Sequence, residues 1–115
     1  MELYFHIPFC VRKCFYCDFL SAPADGQTKA AYMEALRRET ALRAEEYRCD
    51  SVTSVFIGGG TPSAVEAEEI AALLSTVRQH YPLAEDAEIT IEVNPGTVTA
   101  EKLEVYRVAG INRLS

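Results

Sequence analysis

Residues 51–81, "SVTSVFIGGGTPSAVEAEEIAALLSTVRQHY", decide the fold. The run "VTSVFI" at 52–57 is β-branched and apolar, and Gly58-Gly59-Gly60 halts it, so it reads as a buried strand closed by a turn. Ser63 and Glu66 then match an S-x-x-E capping box, and Ile70, Leu73, Leu74, Val77 and Tyr81 recur at helical spacing. Strand, glycine turn and helix in this order make a β-α unit.

The pattern repeats on both sides. Upstream, "ELYFHI" at 2–7 is a short β-rich run ended by Pro8, and "SAPADG" at 21–26 is loop chemistry. From Gln27 to Tyr47 the chain reads as helix, with Tyr32, Met33, Leu36, Thr40 and Tyr47 on one side. Downstream, "EITIEV" at 88–93 is a third strand ended by Asn94-Pro95-Gly96. Thr99 is positioned to cap a third helix carrying Leu103 and Tyr106, with Gly110 closing it, and "INRLS" opens a fourth strand. Three β-α units and an opening strand imply an α/β fold with a parallel sheet and right-handed crossovers. A closed (β/α)8 barrel takes ~250 residues. The 115 residues are therefore expected to be the front portion of a larger barrel, inactive and poorly stable alone. The alternative is a self-sufficient small α/β domain.

Eleven basic and seventeen acidic residues give a formal net charge of −6. With no block of Lys or Arg, the chain lacks the electrostatic footprint of a nucleic-acid binder. No apolar run approaches membrane-spanning length and no secretory signal opens the sequence, so a soluble, cytoplasmic protein is expected. Three of the four cysteines fall within eight residues, and that crowding favours metal or cluster ligation over a disulfide framework.

Three motifs lie after the three strands, at the edge where ligands sit in parallel α/β architectures. The first is "CVRKCFYC", with Cys10, Cys14 and Cys17 spaced C-x3-C-x2-C. Structural zinc wants four ligands, commonly as paired C-x2-C knuckles, and the further donors here are His6, His80 and Cys49. Electron-carrier clusters are closed by four thiolates. Three cysteines suit a four-iron cluster with one iron left open. The second motif, "GGGTPS" at 58–63, lets a ligand approach the backbone and can hold a zwitterion. It also reads as a tight strand-to-helix turn or a phosphate loop, although no G-K-[ST] makes it a Walker loop. The third is "IEVNPG" at 91–96, where Glu92 is either a solvent-facing carboxylate or an acceptor for a pair of hydroxyls.

Together these motifs resemble the radical S-adenosylmethionine (SAM) enzymes. The surrounding "YFHIPFCVRKCFYCDF" is more narrowly similar to the oxygen-independent coproporphyrinogen III oxidase family and its heme-chaperone branch, HemW. The resemblance covers essentially the whole chain and implies the N-terminal part of a radical SAM partial (β/α) barrel. It implies a [4Fe-4S] cluster on Cys10, Cys14 and Cys17, whose open iron the amino and carboxylate groups of SAM chelate before cleavage to a 5′-deoxyadenosyl radical. It also implies SAM contacts from Tyr4, from Tyr16 near the adenine, from Gly58, Gly59, Gly60 and Thr61 toward the amino group, and from Glu92 toward the ribose. Ordinary packing is the alternative for Tyr4 and Tyr16, a structural role for His6, and a solvated loop face for Arg12 and Lys13.

The family divides just after the third cysteine. The oxidases carry a further cysteine two positions on, whereas here Phe19 follows Cys17-Asp18. This departure favours a protein that binds heme or a porphyrin and hands heme to respiratory proteins. Oxidation of coproporphyrinogen in porphyrin biosynthesis is the alternative, so enzymatic activity stays open. A non-catalytic iron–sulfur module would keep the cysteines without needing Gly59, Thr61 and Glu92 together, and the acidic charge counts against a tRNA-modifying enzyme. Cys49 reads as a packing cysteine, and Arg113 as a structural residue rather than a catalytic one.

Overall fold

The structure, a computed structural model, describes residues 1–9, 26–47, 51–96 and 98–115. Four strands form one parallel sheet in the order β1-β2-β3-β4: β1 Glu2–Ile7, β2 Val52–Gly59, β3 Leu83–Ile91 and β4 Arg113–Leu114. Between them run α1 Gly26–Arg43, α2 Ala67–His80 and α3 Ala100–Ala109. The parallel α/β fold expected from the alternation is present. No helix among the described residues is long and apolar enough to cross a membrane.

Alternation along the strands sends one set of side chains into the core. Phe5, Ile7, Val55, Ile57, Ile89 and Ile91 pack there with Met33 of α1, Tyr106 of α3 and the α2 stripe, whose Ile70, Leu73, Leu74, Val77 and Tyr81 are all buried as their spacing predicts. The other strand face carries Tyr4, Phe56 and Thr90 in one cross-strand row, with His6 and Gly58 in the next. On α1, Met33 and Thr40 are buried, but the helix ends at Arg43, before the expected Tyr47, which is exposed.

Three local expectations are corrected. Strand β2 runs through Gly58 and Gly59, because β1 continues alongside it with His6 opposite Gly58 and Ile7 opposite Gly59. Strand β3 begins at Leu83 rather than Glu88, and an irregularity between Val52 and Ser54 absorbs the extra residues. The capping box does not form. Ser63 sits in a short 3-10 turn, Pro62–Ala64, and Val65 is extended, so α2 starts only at Ala67 with Glu66 making no side-chain cap. Buried Ser63 instead accepts the Asn94 N–H on Oγ at 3.1 Å. Thr99 does cap α3, accepting from the Lys102 N–H at 3.1 Å, and Gly110 ends that helix at φ 106°.

Candidate functional site

The site is built where β1, β2 and β3 end together. β3 closes at Ile91, and the Glu92 N–H continues the ladder by donating to Ile57 C=O at 2.9 Å. That places Glu92 beside Gly58. Its carboxylate folds over the glycine backbone, and Oε1 accepts the Gly59 N–H at 2.9 Å. A charge-assisted bond to a backbone amide is short and directional, so one carboxylate oxygen is fixed.

Each of the first two glycines is required by what lies against it. A Cβ on Gly58 would come 2.6 Å from Glu92 Oε1 and 2.7 Å from the Phe56 ring. Gly59 has φ +116°, and a Cβ there would meet His6 Nδ1 at 2.8 Å and the Ile7 C=O at 2.9 Å. Beyond β2, the Gly60 N–H donates to Ile7 C=O at 2.9 Å and the Thr61 N–H to Phe9 C=O. The glycine run is thus sewn to the end of β1. Phe9 directly precedes Cys10 in the sequence, so the approach to the cysteine motif and the glycine motif share one edge.

Tyr4 is not a packed core residue. It is 60% exposed on the face opposite the helices, stacks on Phe56 with ring centroids 5.8 Å apart and planes 10° apart, and lies 6.4 Å from the His6 ring. It shares its face with Gly58 but stands one pleat back. Arg113 pairs with Glu88 at 2.9 Å on the exposed surface. Cys10, Tyr16, Cys14, Cys17, Arg12, Lys13, Phe19 and Cys49 lie outside the described residues. A cavity of about 490 Å³ between Arg78, Leu83 and Gly110 lies at the other edge of the sheet, where the strands start.

The residues that the motifs alone did not reveal are Phe56, under Tyr4, and Ser63, whose helix-cap spacing concealed a tertiary bond. With the Gly59, Gly60 and Thr61 N–H groups bonded internally, the arrangement offers backbone C=O groups beside an anchored carboxylate. That acceptor set suits a ligand with a cationic amine and vicinal hydroxyls, and the missing Cβ atoms let Glu92 and His6 close against the glycine backbone.

Comparison with known proteins identifies the family. A family profile described as "Radical SAM superfamily" matches residues 4–115. The chain is 44% identical over its whole length to the heme chaperone HemW of Escherichia coli (strain K12), spanning 31% of that protein. It is 40% identical over 98% of its length to the heme chaperone HemW of Mycobacterium tuberculosis (strain H37Rv), spanning 30% of it. Among solved structures it superposes with a TM-score of 0.89 on coproporphyrinogen III oxidase (HemN) from Escherichia coli, described as a radical SAM enzyme. Identity there is 36%, and coverage is 98% of this chain and 26% of that one. The chain therefore spans about a third of the length of the curated relatives it matches, and it belongs to the radical SAM superfamily.

Proposed function

We propose that residues 1–115 are the front portion of a radical SAM core that binds a [4Fe-4S] cluster and SAM and serves a cytoplasmic heme chaperone of the HemW type. The observation that carries the reading is the Gly59 N–H to Glu92 Oε1 bond at the edge that leads into Cys10. Cys10, Cys14 and Cys17 would hold the cluster, and Gly58, Gly59, Gly60 and Thr61 would offer backbone groups to the SAM amino group. Glu92, one oxygen held by Gly59, keeps its second oxygen for ribose hydroxyls. Tyr4 and Tyr16 would flank the cofactor. When bound, the cluster and SAM supply one-electron chemistry.

Heme is the favoured cargo, and heme-accepting respiratory proteins the favoured partners. Two HemW proteins are similar to this chain at 44% and 40% identity, and Phe19 stands where the oxidases carry a further cysteine. Coproporphyrinogen oxidation remains the second reading, favoured by the 0.89 TM-score to the oxidase structure. The test is electron paramagnetic resonance on the anaerobically reconstituted, reduced full-length protein, with and without SAM. A four-iron signal that changes with SAM is expected. A cluster indifferent to SAM would overturn the SAM site, and heme titration against coproporphyrinogen turnover then separates chaperone from oxidase.

A further inference from the structure

We infer that Lys29 and Lys102 are positioning residues that strap the turn after the glycine run between two helices and so hold Gly59 against Glu92. Lys102 Nζ of α3 donates to Ser63 C=O at 2.6 Å, and Lys29 Nζ of α1 donates to Ala64 C=O at 3.1 Å. Both lysines are partly buried and reach neighbouring carbonyls of one turn from elements 35 and 39 residues away in sequence.

Their placement is unfavourable locally. Each stands in the first turn of its helix, Lys29 in Gly26–Arg43 and Lys102 in Ala100–Ala109. A cation there opposes the helix macrodipole. A local rule broken twice toward the same target indicates that the turn needs the contacts. In the Pro62–Ala64 turn the Val65 N–H takes Pro62 C=O, and the two ammonium groups give Ser63 C=O and Ala64 C=O charge-assisted donors.

The strap reaches Glu92 through Ser63. The same residue that gives its C=O to Lys102 takes the Asn94 N–H on Oγ at 3.1 Å, and Asn94 follows Glu92 by two positions. Asn94 is itself set by an Asx turn, its Oδ1 accepting the Gly96 N–H at 2.8 Å. Pulling on Ser63 therefore moves the end of the glycine run and the chain after β3 together. This inference rests on the SAM reading only for its functional consequence, and its geometry stands apart from it.

The experiment compares Lys102→Met, Lys29→Met and Lys102→Arg with the unaltered full-length protein. Three quantities are followed: hydrogen–deuterium exchange in peptides spanning Gly58–Thr61, iron per chain, and SAM affinity by equilibrium dialysis. Losing one charge-assisted bond corresponds to about tenfold faster exchange at Gly59 and Gly60 and a similar loss of SAM affinity. Iron content should hold, and Lys102→Arg should recover most of both effects. Measuring both Met variants lets one decide if the other fails to fold. Unchanged exchange at 58–61 in a folded Met variant overturns the strap, even if its melting temperature falls. Faster exchange in the Met variants, when the unaltered protein itself binds no SAM, upholds the strap and overturns the SAM reading.

Discussion

Glu92 Oε1 accepts the Gly59 N–H at 2.9 Å across 33 residues of sequence, and this bond joins two motifs that the chain keeps apart. It fixes one carboxylate oxygen and leaves the charge and the second oxygen for a ligand. Glu92→Gln keeps an oxygen for Gly59 and removes the charge. In the full-length protein it should weaken SAM affinity about tenfold, the scale of a hydrogen bond to a charged group, with iron content intact. An unchanged dissociation constant would return Glu92 to a purely structural role.

Gly58 and Gly59 should respond differently to the same substitution. A methyl on Gly59 meets the backbone oxygen of Ile7 at 2.9 Å in a conformation with φ +116°, and neither can yield cheaply. Gly59→Ala should cost about 2 kcal/mol of stability. A methyl on Gly58 instead presses on Glu92 Oε1 at 2.6 Å and on the Phe56 ring, both ends of side chains. Gly58→Ala should cost less stability, about 1 kcal/mol, but displace the carboxylate and lose SAM affinity out of proportion. Thermal unfolding and dialysis on both variants check the contrast, which fails if Gly59→Ala melts with the unaltered protein.

What was legible in the sequence was what neighbours decide. The α2 stripe, the Thr99 cap and the Gly110 stop depend on residues three or four apart, and all three are present. The Ser63 cap depends on the same spacing and is absent, because Ser63 sits in a 3-10 turn and Val65 is extended, so α2 starts only at Ala67 and the hydroxyl accepts the distant Asn94 N–H. β2 extends into the glycines for a similar reason: strand pairing with β1 supplies what the local residues do not. The Glu92–Gly59 bond and the two lysine straps need the parallel register and the crossovers before they exist at all. No pattern within one segment announces them.

Ion pairs should divide by burial. Arg37 Nη1 lies 2.9 Å from Glu69 Oε1, joining α1 to α2, with side chains only 27% and 23% exposed. Arg38–Glu34, within α1, is similarly short at 2.8 Å but its side chains are 67% and 63% exposed. A double-mutant cycle should return about 1 kcal/mol for the first pair and about 0.3 kcal/mol for the second. Equal couplings, or loss of both in high salt alike, would show that burial does not separate them.

Tyr106 offers the sharpest pH signature. Its side chain is 1% exposed, and among the described residues its hydroxyl is a buried polar atom with no hydrogen-bond partner. Burial pushes its pKa up to about 12 from the ordinary 10, because the phenolate is poorly solvated there. The folded state therefore holds this proton more tightly than the unfolded state. Stability is thus unaffected by this group's ionisation below pH 10 and falls as pH rises from about 10 to 12, by about 2 kcal/mol in all. Tyr32 and Tyr81 are shifted the same way, chiefly by burial, so the difference between the chain and its Tyr106→Phe variant isolates this group. At pH 7 the variant removes an unsatisfied hydroxyl and should be at least as stable, by about 1 kcal/mol. Between pH 10 and 12 it should lose less stability than the unaltered chain. Urea unfolding at pH 7, 10 and 11.5 measures both effects, and parallel losses in the two proteins would mean that the Tyr106 hydroxyl has a partner or reaches solvent.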